Sequence, residues 1–139
     1  MAAQTVLRGV LALFYGAAGV LHIAAADKFL LITPGWVPWA RTVIVVTGLC
    51  EIAGAAALLT PRWRRLAGIM LGAYAVCVFP ANIKHAMEGI TVPGLPSTWW
   101  YHGPRLLFQP VLVWAALFAG DVVRWPFGRA AAAQSERRA

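Results

Sequence analysis

The sequence predicts an all-α, polytopic membrane protein, an antiparallel bundle of four transmembrane helices that forms a single domain over residues 1–139. Two observations lead to this fold class. Hydrophobic residues make up 60% of the chain and charged residues 12%, which is about half the charge of an ordinary soluble domain. The apolar residues also fall into four runs, each near the roughly 20 residues that a helix needs to cross a bilayer.

The first helix is predicted over residues 5–26, where His22 lies near the far end on the same face as Tyr15. The following segment, residues 27–39, contains two prolines and a glycine, which interrupt helices, and two tryptophans, which suit the membrane interface. We therefore expect this segment to be a loop that lies along the membrane surface.

The second helix is predicted over residues 42–60 and carries Glu51, an acid in an otherwise apolar run. Small residues share the face of Glu51, so we expect this face to pack against other helices. Exposed to lipid, the carboxylate would cost several kcal/mol. An acid at this depth also needs a polar partner.

The third helix is predicted over residues 66–87. It follows a short basic turn, so it must run antiparallel to the second helix. Residues 88–104 are rich in glycine, proline and aromatic residues and are predicted to form a second interfacial loop. The fourth helix is predicted over residues 105–125, and we expect the basic, alanine-rich tail over residues 126–139 to be mobile and exposed.

The cysteines and the net charge exclude two other classes of function. Cys50 and Cys77 are isolated within apolar segments, so we predict buried free thiols and not a redox pair. The net charge of +7 comes from basic residues placed between and after the apolar runs. Membrane topology explains that placement, and we expect no binding to nucleic acid.

The Lys and Arg residues are distributed unevenly between the two sides of the predicted bundle. Eight lie with the termini and the turn after the second helix: Arg8, Arg62, Arg64, Arg65, Arg124, Arg129, Arg137 and Arg138. Four lie on the other side: Lys28, Arg41, Lys84 and Arg105. The positive-inside rule then places both termini in the cytoplasm. In a bacterium, this topology predicts an inner-membrane protein with its long loops on the periplasmic side.

Polar residues from all four predicted helices converge on the outer half of the bundle. Glu51 lies roughly 13 Å below the outer end of the second helix, at 1.5 Å per residue. The sequence therefore predicts a ligand-binding pocket that opens outwards, with Glu51 as the candidate for any catalytic role and no metal site. Its predicted lining is His22, Thr47, Glu51, Asn82, His85, Arg105 and Gln109.

Each of these side chains also has a purely structural interpretation. A histidine or glutamine in a membrane helix can simply hydrogen-bond to a neighbouring helix, and Arg105 can anchor its helix at the headgroups. A neutral Glu51 bonded to His22 or Thr47 would satisfy the packing equally well. An ionisable residue inside a membrane is a functional-site hypothesis by default. The sequence leaves both interpretations open.

Several motifs resemble those of the DoxX-like family of small bacterial membrane proteins. They cover about residues 5–125 and comprise Gly19 with His22, TGLCEIAGA, VFPANI and PRLLFQP. The resemblance implies a four-helix membrane protein. It also implies that the family's polar positions correspond to His22, Glu51, Asn82, Arg105 and Gln109. Some DoxX-like proteins are subunits of a thiosulfate:quinone oxidoreductase or associate with membrane oxidoreductase complexes.

These observations lead to several functional hypotheses. The first is a membrane subunit that binds a quinone or another small molecule and works with a redox protein partner, since the chain lacks a paired-cysteine centre of its own. The second is a small proton-coupled transporter that uses Glu51, for instance as a homo-oligomer. The third is a scaffold in the lipid bilayer with no chemistry of its own. Haem held between His22 and His85 is a further alternative, which requires the two rings to face each other across a gap wide enough for the porphyrin.

Overall fold

The computed structural model of the protein describes residues 2–125. Within this range the chain forms helices and no strand, which confirms the all-α class. The helices are α1 (Ala2–Ala24), α2 (Ala26–Ile32), α3 (Ala40–Leu59), α4 (Arg64–Met87) and α5 (Trp99–Ala119). The tail over residues 126–139, which the sequence predicts to be mobile, lies outside the described residues.

Three of these helices are long and apolar enough to cross a membrane: Ala3–Ala24, Ala40–Leu59 and Arg64–Met87. Their outer surfaces carry large apolar side chains such as Leu13 and Met70, which are exposed in the isolated protein. Contact with the lipid bilayer explains such surfaces, so the fold indicates a membrane protein. The helix α5 is of similar length, but it carries Arg105, Gln109 and two prolines, and it is not among the three.

The helices α1 and α3 pack closely in antiparallel directions. Gly16 faces Ala55 and Gly19 faces Gly48, so rising residue numbers on α1 meet falling numbers on α3. A Cβ atom built on Gly19 would lie 2.5 Å from the Gly48 carbonyl oxygen. Glycine on both helices is therefore what allows the two backbones to touch.

The helices α4 and α5 form a second antiparallel pair. Asn82 contacts Gln109 near one end of the pair, and Gly68 contacts Gly120 at the other. A Cβ atom on Gly68 would approach the α5 backbone to 2.7 Å. Gly68 and Gly72, which have the GxxxG spacing, both face α5, so this spacing serves close helix packing.

The two helix pairs meet around an apolar core in one half of the protein. We call this half the N-terminal end, because it contains the start of α1, the turn between α3 and α4, and the end of α5. Arg8 lies at its edge and donates hydrogen bonds of 2.8 Å to both carboxylate oxygens of Asp121, tying α1 to the end of α5. The core is formed by Leu11, Ala12, Tyr15, Ala55, Leu58, Ala67, Leu71, Ala115, Ala116 and Ala119.

Residues 27–39 are not the continuous loop that the sequence predicts, because most of the helix α2 lies within them. The helix α1 ends at Ala24, two residues before the predicted end, and Ala25 has the non-helical dihedrals φ −124° and ψ 34°. The residues before Pro34 then form α2. Since the residue before a proline disfavours the helical conformation, Thr33 is extended and α2 ends there.

Contacts with α3 and α4 hold α2 in place. Lys84 of α4 donates a hydrogen bond of 2.8 Å to the Thr33 carbonyl oxygen at the end of α2. Arg41 of α3 forms an ion pair with Asp27 at the start of α2. We call this half of the protein, which contains α2 and the loop over residues 88–98, the loop end.

The last helix begins and ends six residues earlier than the predicted range of 105–125. It begins early because Thr98 accepts the first helical hydrogen bonds, so Pro104 lies inside the helix and not at its first position. It ends early because Gly120 leaves the helical conformation and Asp121 adopts a left-handed one with φ 60°. Aspartate tolerates that conformation better than most residues, so the chain can turn there.

Cys50 and Cys77 are free thiols, but both are exposed, so the prediction that they are buried is wrong. The error has a physical cause. Lipid tails are as apolar as a protein core, so an apolar stretch of sequence does not show which of its residues face inwards.

Candidate functional site

A cavity of about 560 Å³ occupies the loop end of the protein, beside the apolar core. Side chains from all the helices α1 to α5 line it, and most of them are apolar. The residues on α1 and α3 form one polar group, and those on α4 and α5 form another. The lining includes all seven residues predicted for the pocket: His22, Thr47, Glu51, Asn82, His85, Arg105 and Gln109.

The first polar group centres on Glu51, which together with His22 we call the acid pole. Glu51 is 3% exposed and lies roughly 16 Å from the start of α3, at 1.5 Å per residue. The Nδ1 atom of His22 lies 2.7 Å from Glu51 Oε2 and 2.9 Å from the Ala18 carbonyl oxygen. A carbonyl oxygen only accepts, so the proton on Nδ1 is donated to Ala18, and Glu51 Oε2 lies at ion-pair distance but has no hydrogen-bond partner among the described residues. His22 is thus the polar partner that an acid at this depth requires.

Close packing of α1 on α3 positions the acid pole. A Cβ atom on Gly48 would lie 2.8 Å from the Gly19 carbonyl oxygen and 2.9 Å from the Cβ of His22. A larger residue at Gly48 would therefore push His22 away from Glu51. The His22 ring also stacks on Phe29 of α2, with ring centroids 4.0 Å apart. Three helices together hold the imidazole.

Two tyrosines that are absent from the predicted lining stand beside the acid pole. Tyr15 is 2% exposed, and its hydroxyl has no hydrogen-bond partner in the described part of the chain. The Tyr74 ring centroid lies 6.4 Å from that of Tyr15 and 6.5 Å from that of His22. The sequence does carry a signal for Tyr15, because it shares a helix face with His22. Thr47 lines the cavity one turn before Glu51.

The second polar group centres on Arg105, which together with His85 we call the basic pole. Arg105 Nη1 lies 2.8 Å from His85 Nδ1, and Nη2 donates to Asn82 Oδ1 at 2.5 Å. Because a guanidinium only donates, His85 Nδ1 is the acceptor, and His85 is a neutral imidazole with its proton on Nε2. The guanidinium carbon also lies 5.4 Å from the ring centroid of Tyr101.

A chain of amides connects the basic pole to the backbone of α4. Asn82 Nδ2 donates to Gln109 Oε1 at 3.0 Å, and Gln109 Nε2 donates to the Ala75 carbonyl oxygen. Arg105 can only donate and the carbonyl can only accept, so each amide along the chain has one orientation. Gln109 is buried, which keeps water from competing for these bonds. The chain therefore holds Asn82 in a fixed position against Arg105.

His102, which is absent from the predicted lining, packs behind the basic pole. It is 2% exposed and lies edge to face with His85, with ring centroids 4.7 Å apart. Its two ring nitrogens have no hydrogen-bond partner among residues 2–125. The sequence places His102 in a loop because the predicted helix starts at residue 105. On the observed helix α5 it lies one turn before Arg105, on the same face.

The walls of the cavity reach the outer surface of the protein at mid-helix depth. Phe14 of α1, Cys77 of α4 and Phe108 of α5 line the cavity and are also exposed. In a bilayer these positions would contact lipid, so the cavity is accessible from the side. Towards the N-terminal end, the apolar core beyond Tyr15 closes it.

A family model described as "Domain of unknown function (DUF8561)" matches residues 11–120, which is well over half of the chain. This protein belongs to that family. The matched range contains both poles of the cavity and α2, so the site lies within the family's domain. Comparisons with curated proteins and with solved structures give no match.

The arrangement can bind an apolar molecule that has polar atoms at both ends. Arg105 offers hydrogen-bond donors at the basic pole, and the Tyr15 hydroxyl is available beside the acid pole. When both ring nitrogens of His22 are protonated, the proton on Nδ1 can pass to Glu51 Oε2 over 2.7 Å and leave a neutral imidazole. Over residues 2–125, no group of three or more His, Cys, Asp or Glu could hold a metal ion.

Proposed function

We propose that this DUF8561 protein is a membrane subunit that binds a quinone, or a small molecule of similar shape, and works with a redox protein partner. One observation carries the proposal, namely the largely apolar cavity with hydrogen-bonding groups at two poles. A quinone has an apolar body and carbonyl oxygens on opposite sides of its ring, which suits such a cavity. The resemblance to DoxX-like proteins supports the same function.

The acid pole supplies the proton chemistry that this function needs. Reduction of a quinone takes up protons as well as electrons, and His22 with Glu51 can hold or deliver a proton beside the cavity. The electrons would come from the redox partner, because the cysteines at 50 and 77 are not paired. The closed N-terminal end of the cavity favours a binding pocket over a transport path.

The proposal includes a membrane topology. The helices α1, α3, α4 and α5 form four transmembrane helices, with both termini in the cytoplasm of a bacterium and the loop end on the periplasmic side. The antiparallel packing of α5 on α4 supports α5 as the fourth span, since the basic pole joins residues of α5 to residues of α4 at the same depth. A reporter that is active only in the cytoplasm should be active when fused to the C-terminus. Activity of a periplasm-specific reporter at that position would contradict the topology.

Quinone binding by the purified protein tests the function directly. The protein in lipid nanodiscs is titrated with a short-chain quinone, and binding is followed by quenching of tryptophan fluorescence, since Trp36 lines the cavity. We expect saturable binding that Glu51→Gln weakens. The matched control is Glu88→Gln, because Glu88 is exposed and does not line the cavity.

The outcomes of this titration separate the hypotheses. Equal weakening by both substitutions would show that Glu51 has no specific role in binding. Absence of binding in the unsubstituted protein would overturn the proposal and leave the transporter and scaffold hypotheses.

A further inference from the structure

Arg105 is a cation that faces an apolar cavity without an acid beside it. Its hydrogen bonds go to His85, Asn82 and, at 3.5 Å, the Tyr101 hydroxyl, and its guanidinium carbon lies 5.4 Å from the Tyr101 ring centroid. All of these partners are neutral, because His85 accepts at Nδ1. The ion pairs found within residues 2–125 do not involve Arg105. Their basic members are Arg8, His22, Arg41 and Arg64.

The guanidinium is held in place before any ligand binds. The amide chain through Gln109 fixes Asn82, and Asn82 in turn holds the Nη2 atom of Arg105. His85 holds the Nη1 atom. These bonds use Nη1 and Nη2, so Nε is available for a further acceptor. A positioned cation in an apolar site binds an anionic oxygen more strongly than a neutral one, because charge-assisted hydrogen bonds are roughly twice as strong.

The charge distribution around the cavity gives the ligand a direction. Glu51 and His22 stand at the acid pole, where a carboxylate would disfavour a second negative charge. The anionic end of a ligand therefore belongs at the basic pole. Tyr15, buried and without a hydrogen-bond partner in the described chain, offers a neutral contact to the opposite end. Between the poles the lining is mainly apolar.

We infer that the cavity binds an amphipathic organic anion, with its acidic oxygen on Arg105 and its apolar body between the two poles. This inference rests on the proposed function as a binding protein and specifies the charge of the ligand. Such a molecule dissolves in the outer part of the bilayer, and it can enter at mid-helix depth where Cys77 and Phe108 are both lining and exposed.

Three probes test the inference on the full chain in nanodiscs of zwitterionic lipid. Phenylbutyrate is an amphipathic anion, phenylbutanol is its neutral counterpart, and acetate is an anion without an apolar body. Binding is measured by saturation-transfer NMR. We expect phenylbutyrate to bind at least about tenfold more tightly than phenylbutanol, since one charge-assisted contact contributes roughly 1.4 kcal/mol or more. Acetate should bind more weakly than phenylbutyrate.

Two substitutions at the basic pole should remove this preference. Arg105→Gln removes the charge. Asn82→Asp keeps Arg105 but places a carboxylate 2.5 Å from the guanidinium, where the Asn82 oxygen now lies, and it also removes the Nδ2 donor to Gln109. Both variants should bind phenylbutyrate and phenylbutanol within about twofold of each other, because the cation is absent or already paired. Arg65→Gln is the control, since Arg65 is exposed and does not line the cavity.

The results distinguish this inference from the proposed function. If a neutral quinone binds but phenylbutyrate shows no preference over phenylbutanol, the inference is wrong and the function stands. If phenylbutyrate keeps its preference in Asn82→Asp, Arg105 is not the anion site. Binding of acetate as tight as that of phenylbutyrate would show a site for small aqueous anions and would also overturn the inference. If neither the quinone nor any probe binds, both proposals fail.

Discussion

Substitution of Gly19 by alanine should loosen the helix contact that holds the acid pole. The new Cβ atom would lie 2.5 Å from the Gly48 carbonyl oxygen, whereas ordinary contact begins at 3.4 Å. The difference, 3.4 minus 2.5 Å, requires α1 and α3 to move apart by about 0.9 Å. Backbone cannot rotate away as a flexible side chain can, so the whole contact must shift.

The size of the effect follows from a comparison with a second glycine on the same helix. Overpacking of this kind costs about 1–3 kcal/mol. Alanine also favours the helix over glycine by about 1 kcal/mol, which partly offsets that cost. Gly9→Ala gains the same helix preference, but its Cβ meets nothing within 4 Å. We therefore expect Gly19→Ala to be less stable than Gly9→Ala by about 1–3 kcal/mol.

Unfolding of both variants in mixed micelles with increasing SDS, followed by circular dichroism, measures this difference. The same 0.9 Å shift added to the 2.7 Å between His22 Nδ1 and Glu51 Oε2 gives up to about 3.6 Å, which weakens the electrostatic contact between the two side chains. Gly19→Ala should therefore also weaken ligand binding, whereas Gly9→Ala should not. Equal unfolding midpoints for the two variants would refute the close contact between α1 and α3.

Three further predictions concern other parts of the structure. A small membrane-permeant maleimide should label Cys77, which lines the cavity, faster than Cys50, which faces lipid and stays a thiol, and a bound ligand should slow only the labelling of Cys77; equal effects on both by mass spectrometry would contradict the site. Arg8→Gln should lower the free energy of unfolding by about 1–3 kcal/mol, because it removes the hydrogen bond to the Ala119 carbonyl oxygen as well as the ion pair with half-exposed Asp121; only the ion-pair part should shrink with salt, and unchanged stability would contradict both contacts. Gln109→Leu should lower the free energy of unfolding in the SDS assay by about 1–3 kcal/mol, since the Asn82 side chain and the Ala75 carbonyl oxygen each lose a hydrogen bond. Unchanged stability would show that the amide chain does not form.

The lining of the cavity could be predicted because it depends on depth along the helices. A polar side chain stands out in an apolar helix, and helices that alternate in direction bring polar residues at matching depths to one end. The sequence predicts His22, Glu51 and Arg105 in one pocket, and all three line the cavity. It could not decide which side chains pair, because pairing depends on the direction each side chain takes.

The sequence predictions differ from the structure at two places where one sequence pattern is typical of two different environments. His102 and the start of α5 were missed because residues 99–104 contain tryptophans, a glycine and a proline, which are typical of an interfacial loop. The structure begins the helix there because Thr98 accepts its first hydrogen bonds. The exposed position of Cys50 was missed for a different reason, since a lipid-facing surface and a core have the same hydrophobicity.

The separation of the two poles explains why the cavity stays open. Glu51 has its own partner in His22, on the pair α1 and α3, whereas Arg105 is held by residues of α4 and α5. A direct ion pair between Glu51 and Arg105 would neutralise both groups and fill the space between them. Each pole instead lies on its own helix pair, so a ligand that contacts both would connect the two pairs. Such a ligand should raise the unfolding temperature by mass action, as any ligand specific to the folded state does. A ligand that contacts only one pole makes fewer interactions, so it should raise the unfolding temperature less at the same concentration.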